Sequence, residues 1–130
     1  MFQFENIMFT SADPLATVKV IDFGLSGRFN PQDKMAPLTA QLGTFDTMAP
    51  EVFAGKYTTQ ADLWSAGVVA FEMLVGVKPF AASTPMGVVA RISKYDSQLE
   101  PRLWERISKA GMTFVRALLE KKPEKKTNSS

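Results

Sequence analysis

Asp22-Phe23-Gly24, Ala49-Pro50-Glu51 and Asp62-Leu63-Trp64-Ser65-Ala66-Gly67 follow one another along the chain, with Gly43-Thr44 between the first two. The series opens on a carboxylate at the end of Val18-Lys19-Val20-Ile21. The β-branched residues and partial alternation of that run predict a strand. Gly24 permits the backbone turn that follows. Over residues 24–47 no period persists, because Gly27, Asn30, Pro31 and Pro37 break it. An aperiodic stretch of that length inside a compact domain is uncommon and usually functional.

Upstream, Ile7-Met8-Phe9 is a short apolar run ending in the turn-rich group Thr10-Ser11-Ala12-Asp13-Pro14. Paired with the run before Asp22, it predicts a small antiparallel hairpin. Downstream, residues 49–54 predict a short helix closed by Gly55. Thr58-Thr59 offers an N-cap for the strongest helix, residues 60–75, closed by Gly76. That helix is apolar almost all round, so it should be the hub of the core. Ser83 or Thr84 can cap a helix from Pro85, with Val88, Val89 and Ile92 on one side. Residues 96–101 read as loop. Ser108 can cap a last helix in which Phe114, Val115, Leu118 and Leu119 recur at helical spacing, before a polar tail over 121–130. There are no internal repeats and no second-domain signals.

The chain has 130 residues, 45% hydrophobic and 22% charged, as in one globular domain. Its net charge of +2 is too small to argue for nucleic acid or an anionic membrane. It contains no cysteine and no histidine. Disulfides, thiolate catalysis, cysteine zinc sites and a histidine general base within the chain are thereby excluded. The N-terminus lacks the basic start of a signal peptide. The longest apolar stretch, residues 63–77, is interrupted by Glu72 and is too short to span a bilayer. Missing cysteine is compatible with a cytoplasmic location.

The ordered motifs resemble the activation segment and following helix of Ser/Thr protein kinases, nearest the calcium/calmodulin-dependent and calcium-dependent group. The resemblance covers nearly the whole chain. It implies an α+β fold, mainly α-helical: a protein-kinase-like C-lobe with a small N-terminal β-hairpin. Residues 1–126 would be a partial kinase domain and 127–130 a polar tail.

By that resemblance Asp22 holds Mg²⁺, a hard ion that takes oxygen ligands. Asn6 would bind a second Mg²⁺, since Phe4-Glu5-Asn6 resembles the end of the catalytic loop, usually Lys-Pro-Glu-Asn, with Phe4 replacing Pro. Mg²⁺ and ATP are the implied cofactors. Phe23 would pack into the fold in the active arrangement and could swing out in others. Thr44 would contact the catalytic Asp and Lys beside the peptide substrate, and Thr39 lies where activation-loop phosphorylation often occurs. Glu72 matches an acid that in some basophilic kinases recognises an Arg of the peptide. Glu51 would form a buried ion pair, but its partner position is Lys126, which lacks the guanidinium fork. Asp62 would accept backbone N–H bonds from the catalytic loop, and without them would be a desolvated acid.

In the catalytic loop written His-Arg-Asp-Leu-x-x-x-Asn the proton-accepting Asp falls on Met1 of this chain. The neighbouring Lys position is Gln3. The chain holds no catalytic base, no ATP-anchoring Lys and no Gly-rich loop. The resemblance therefore implies a fragment inactive as an isolated chain, whose partners are a protein substrate or an N-lobe outside it. A non-catalytic docking module derived from a kinase C-lobe is the alternative. No Asp-x-Asp-x-Asp-Gly calcium loop is present.

Overall fold

The structure, a computed structural model, describes residues 3–24, 26, 45–55, 59–95 and 101–121. After a 3-10 turn at Phe4–Asn6, strands β1 (Ile7–Phe9) and β2 (Val18–Val20) form an antiparallel pair. The register places Ile7 opposite Val20, Met8 opposite Lys19 and Phe9 opposite Val18. The connecting loop is closed by its own polar groups. Asp13 Oδ1 accepts from Leu15 N–H at 2.7 Å, and Thr10 N–H reaches Thr17 O at 3.0 Å. Such Asx turns are why Asp favours these positions.

A second 3-10 turn (Phe45–Thr47) leads into α1 (Pro50–Phe53), with Pro50 in the first turn, where its missing N–H costs nothing. The long helix α2 covers Gln60–Val75 and ends at Gly76, whose φ of +83° suits a residue without Cβ. Helix α3 (Pro85–Lys94) starts where Thr84 Oγ1 accepts from Gly87 N–H at 3.1 Å. A short helix α4 covers Pro101–Trp104, and α5 covers Lys109–Leu118. Ser108 Oγ accepts from Gly111 N–H at 3.1 Å and caps α5. Both caps satisfy amide donors that an uncapped helix leaves bare.

The core is built around α2. Trp64, Val68 and Phe71 from α2 meet Phe80, Val88 and Ile92, together with Trp104, Val115 and Leu119. Trp64 stacks on Phe80 at 5.5 Å, and Phe71 meets the edge of Trp104 at 5.3 Å. Helix α5 lies against α2 at Gly67, where an added Cβ would sit 2.7 Å from Leu118 Cβ. Ser65 Oγ donates to Thr47 O at 2.7 Å and so ties the second 3-10 turn to α2.

Four sequence expectations change. Thr59 precedes α2 with helical backbone (φ −57°, ψ −24°) and its side chain makes no cap bond, while Thr58, the other residue of the offered pair, lies outside the described residues. Capping needs an extended backbone there. Pro101 is not loop but opens α4, the position a fixed φ favours. The hub helix is not apolar-buried throughout. Met73 and Leu74 are exposed, so burial stops before its last turn. In α5, Phe114 points to solvent while Val115, and Leu119 just past the helix end, are buried. Among the described residues no helix is long and apolar enough to cross a membrane.

Candidate functional site

The two magnesium candidates arrive at one end of the hairpin. Ile21 N–H donates to Asn6 O at 2.8 Å, extending the ladder one step past the Ile7–Val20 pair. Asp22 therefore follows immediately on the residue bonded to Asn6, although 16 positions separate them in sequence. The hairpin register makes this meeting.

Asp22 has φ +61°, the one non-glycine with positive φ among the described residues. Left-handed backbone is uncommon outside glycine, and Asp and Asn are the side chains that tolerate it. Asp22 Oδ1 accepts from Gly24 N–H at 3.1 Å, which holds the turn from within. Ser26 then closes on Phe23 O through its N–H (2.9 Å) and its Oγ (2.6 Å). The result is an exposed carboxylate, fixed by local bonds at a strand end, beside a half-buried Asn. An exposed carboxylate and an amide carbonyl fit a magnesium ion, which takes one or two protein oxygens and completes its shell with water and phosphate. No cluster of three or more His, Cys, Asp or Glu is present among the described residues. The donor set thus suits an ion brought with phosphates rather than an all-protein cage.

Phe23 is 67% exposed, outside the fold. No described helix covers it, and Gly24 follows in the open. Glu51 is half-buried on α1 and makes a contact of its own. Asp62 is exposed in the first turn of α2 and also has a partner, so the expected desolvation of this acid does not arise. Glu72 is half-buried on α2. Met1, Thr39, Thr44 and Lys126 lie outside the described residues.

A second feature carries no motif. A cavity of about 410 Å³ opens between the end of α2, α3 and α4. Phe80, Tyr95 and Trp104 contribute rings, and Lys78, Arg91 and Lys94 contribute cations. The sequence hint was slight: Arg91 and Lys94 stand one turn apart on an amphipathic helix.

Residues 3–130 match the family described as protein kinase domain. The chain belongs to that family. It is 35% identical over 126 residues to CDPK-related kinase 5 of Arabidopsis thaliana, covering 97% of this chain and 20% of that protein. Identity is 36% over 126 residues to calcium/calmodulin-dependent serine/threonine-protein kinase 1 of Oryza sativa subsp. japonica, with the same coverage. It is 37% over 122 residues to calcium-dependent protein kinase 1 of Arabidopsis thaliana, covering 94% of this chain and 20% of that protein. The chain is thus a protein kinase domain sequence similar to calcium-dependent Ser/Thr kinases, and it spans about 20% of the length of the relatives it matches. The mainly helical fold with one small antiparallel pair agrees with this membership.

Proposed function

We propose that residues 1–126 are the C-lobe portion of a Ser/Thr kinase that transfers the γ-phosphoryl of ATP to protein hydroxyls, followed by a polar tail at 127–130. Asp22 and Asn6 would hold Mg²⁺, which neutralises phosphate charge during the transfer. The segment from Phe23 to Glu51 would be the activation segment, with Thr44 and Glu72 toward the peptide and Thr39 as a phosphate acceptor. The observation that carries the reading is the left-handed Asp22 beside Asn6 at the hairpin end. Backbone held in a sparse region clusters at functional sites because surrounding structure must sustain it.

By the family's motifs none of the 130 residues supplies the general base, the ATP-anchoring Lys or the Gly-rich loop, so the isolated chain would give no turnover. Its partner would then be the N-lobe of a kinase domain. The exposed Phe9, Val18 and Val20, which share one face of the hairpin, support this, since clustered apolar exposure marks an interaction surface. A cytoplasmic setting suits a chain without cysteine. No nucleic-acid or membrane partner is proposed.

Manganese titration with NMR detection tests the metal role. Paramagnetic broadening should centre on Asn6 and Asp22 and vanish in Asp22→Ala. Broadening that survives that substitution unchanged refutes the assignment. With Mg-ATP and a basic test peptide the chain should transfer no phosphate, and robust magnesium-dependent turnover would sink the inactivity reading.

A docking role is the second reading, favoured by exposed Met86 on α3 and Phe114 on α5. It requires that a kinase or substrate bind through residues 86–120. Loss of such binding on Met86→Asp with Phe114→Asp is the expected result, and retention counts against it.

A further inference from the structure

The cavity between α2, α3 and α4 has a floor and a rim of opposite character. Phe80 (1% exposed) and Trp104 (7%) form a buried floor. Their rings are fixed by neighbours: Phe80 meets the edge of Tyr95 at 5.2 Å and Trp104 meets Phe71 at 5.3 Å. A floor locked in this way is pre-formed, and little ordering is needed on binding. The volume of about 410 Å³ is at the lower end of ligand pockets.

The rim is cationic. Lys78, Arg91 and Lys94 line the opening, and no carboxylate does among the described residues. Lys78 Nζ is 3.6 Å from Asp46 Oδ2 and is partly neutralised. Arg91 and Lys94 are exposed and make no ion pair among the described residues. Two exposed cations one turn apart at the mouth of an aromatic pit, without an ion pair among the described residues, favour an anion carrying an apolar group. Arg91 and Lys94 are exposed while Phe80 and Trp104 are buried, so the charge lies toward solvent and the apolar surface beneath it. That separation fits a polypeptide whose acids flank an inserted side chain better than one compact molecule.

We propose that this cavity is a docking site for an acidic protein segment, which inserts one large apolar or aromatic side chain between carboxylates paired with Arg91 and Lys94. The site is separate from Asn6 and Asp22 and does not depend on phosphoryl transfer.

The test is fluorescence anisotropy of a labelled peptide bearing Phe flanked on both sides by Asp and Glu, titrated with the full chain. Saturable binding is expected. Arg91→Glu with Lys94→Glu should weaken it at least about tenfold, as should replacing the peptide's Phe by Ser. Lys19→Glu with Lys109→Glu changes net charge equally at exposed sites elsewhere and should leave affinity within about twofold. The circular dichroism spectrum, unchanged in each variant, certifies folding. Absent saturation overturns the proposal. So does equal weakening in both charge reversals, which would mean general attraction, or indifference to the Phe. Binding of naphthoate alone, without the peptide, would overturn the protein occupant.

Discussion

Replacing Gly67 by Ala adds one methyl group where α2 meets α5. The new Cβ would lie 2.7 Å from Leu118 Cβ, 2.9 Å from Leu119 Cδ2 and 3.2 Å from Leu119 Cγ. Carbon atoms rest at about 3.5–4.0 Å, so the first contact is short by roughly 1 Å. Leu118 Cβ is bonded to the backbone and cannot rotate aside. Leu119 is 3% exposed, so its tip has no free space to enter. Helix α5 must therefore move as a body. Overpacking of this kind costs about 1–3 kcal/mol. Against it, Ala is the better helix residue by ~0.8–1.0 kcal/mol. The upper part of the overpacking range applies because the clash is with a fixed atom, leaving a net loss of ~1–2 kcal/mol. Urea denaturation of the 130-residue chain, followed by circular dichroism and tryptophan emission, reads the change. The midpoint should fall with the slope unaltered. Gly111→Ala is the control. Its Cβ meets Ile107 Cγ2 and Ser108 Oγ at 3.3 Å and Leu74 Cδ1 at 3.4 Å, contacts that ask for shifts of a few tenths of an ångström and leave the Ser108 cap in place. Crowding and propensity then offset to within about 0.5 kcal/mol. A midpoint for Gly67→Ala equal to or above that of the parent chain would refute the close approach of α2 and α5.

Gly76→Ala should cost about 1–2 kcal/mol at the end of α2, through left-handed backbone alone, because nothing lies within 4 Å of the added Cβ. The same urea series measures it, and a neutral result would mean the turn has another conformation available. Ser65→Ala should cost about 1–3 kcal/mol by stranding the buried Thr47 carbonyl. Faster amide exchange around Thr47 should accompany the lower midpoint; unchanged exchange speaks against the tie. Thr84→Ala and Ser108→Ala should each lose about 1 kcal/mol, and Thr84→Ser should recover most of the first loss. Recovery by Ser is the readout that separates a cap from general packing.

The limits of α2 were legible because a residue that stops helices, Gly76, stands just after the last periodic position. Pro85 and Ser108 announced α3 and α5 in the same way. Of the offered pair Thr58-Thr59 only Thr59 is described, and it makes no cap bond because a capping side chain needs a backbone conformation that residue type does not fix. Pro101 misled because the residue that breaks a helix interior also suits its first turn. The candidate metal pair was legible only through family resemblance. Its physical cause, a register that sets Ile21 against Asn6, emerges from pairing rather than composition. The cavity could not be read at all. Phe80, Arg91 and Trp104 are far apart in sequence, and each on its own reads as an ordinary core ring or a solvated cation.

The two ends of the motif series are held by different physics. Asp22 is set by bonds within a few residues: its own carboxylate to Gly24 N–H, and the Ile21–Asn6 rung of the hairpin. Glu51 sits on α1, which packs on α3, while the preceding 3-10 turn is bound to α2 through Ser65. Loosening the α2–α5 contact would therefore be felt at Glu51 before it was felt at Asp22. Metal binding at the hairpin would report local order and not the integrity of the helical core. The converse also holds, since a well-packed core around Trp64 places no constraint on Phe23, which stays in solvent. Positioning Phe23 and Asp22 relative to the helical body needs apolar contacts that the hairpin does not make with itself, because its exposed side chains are the groups with burial still to gain.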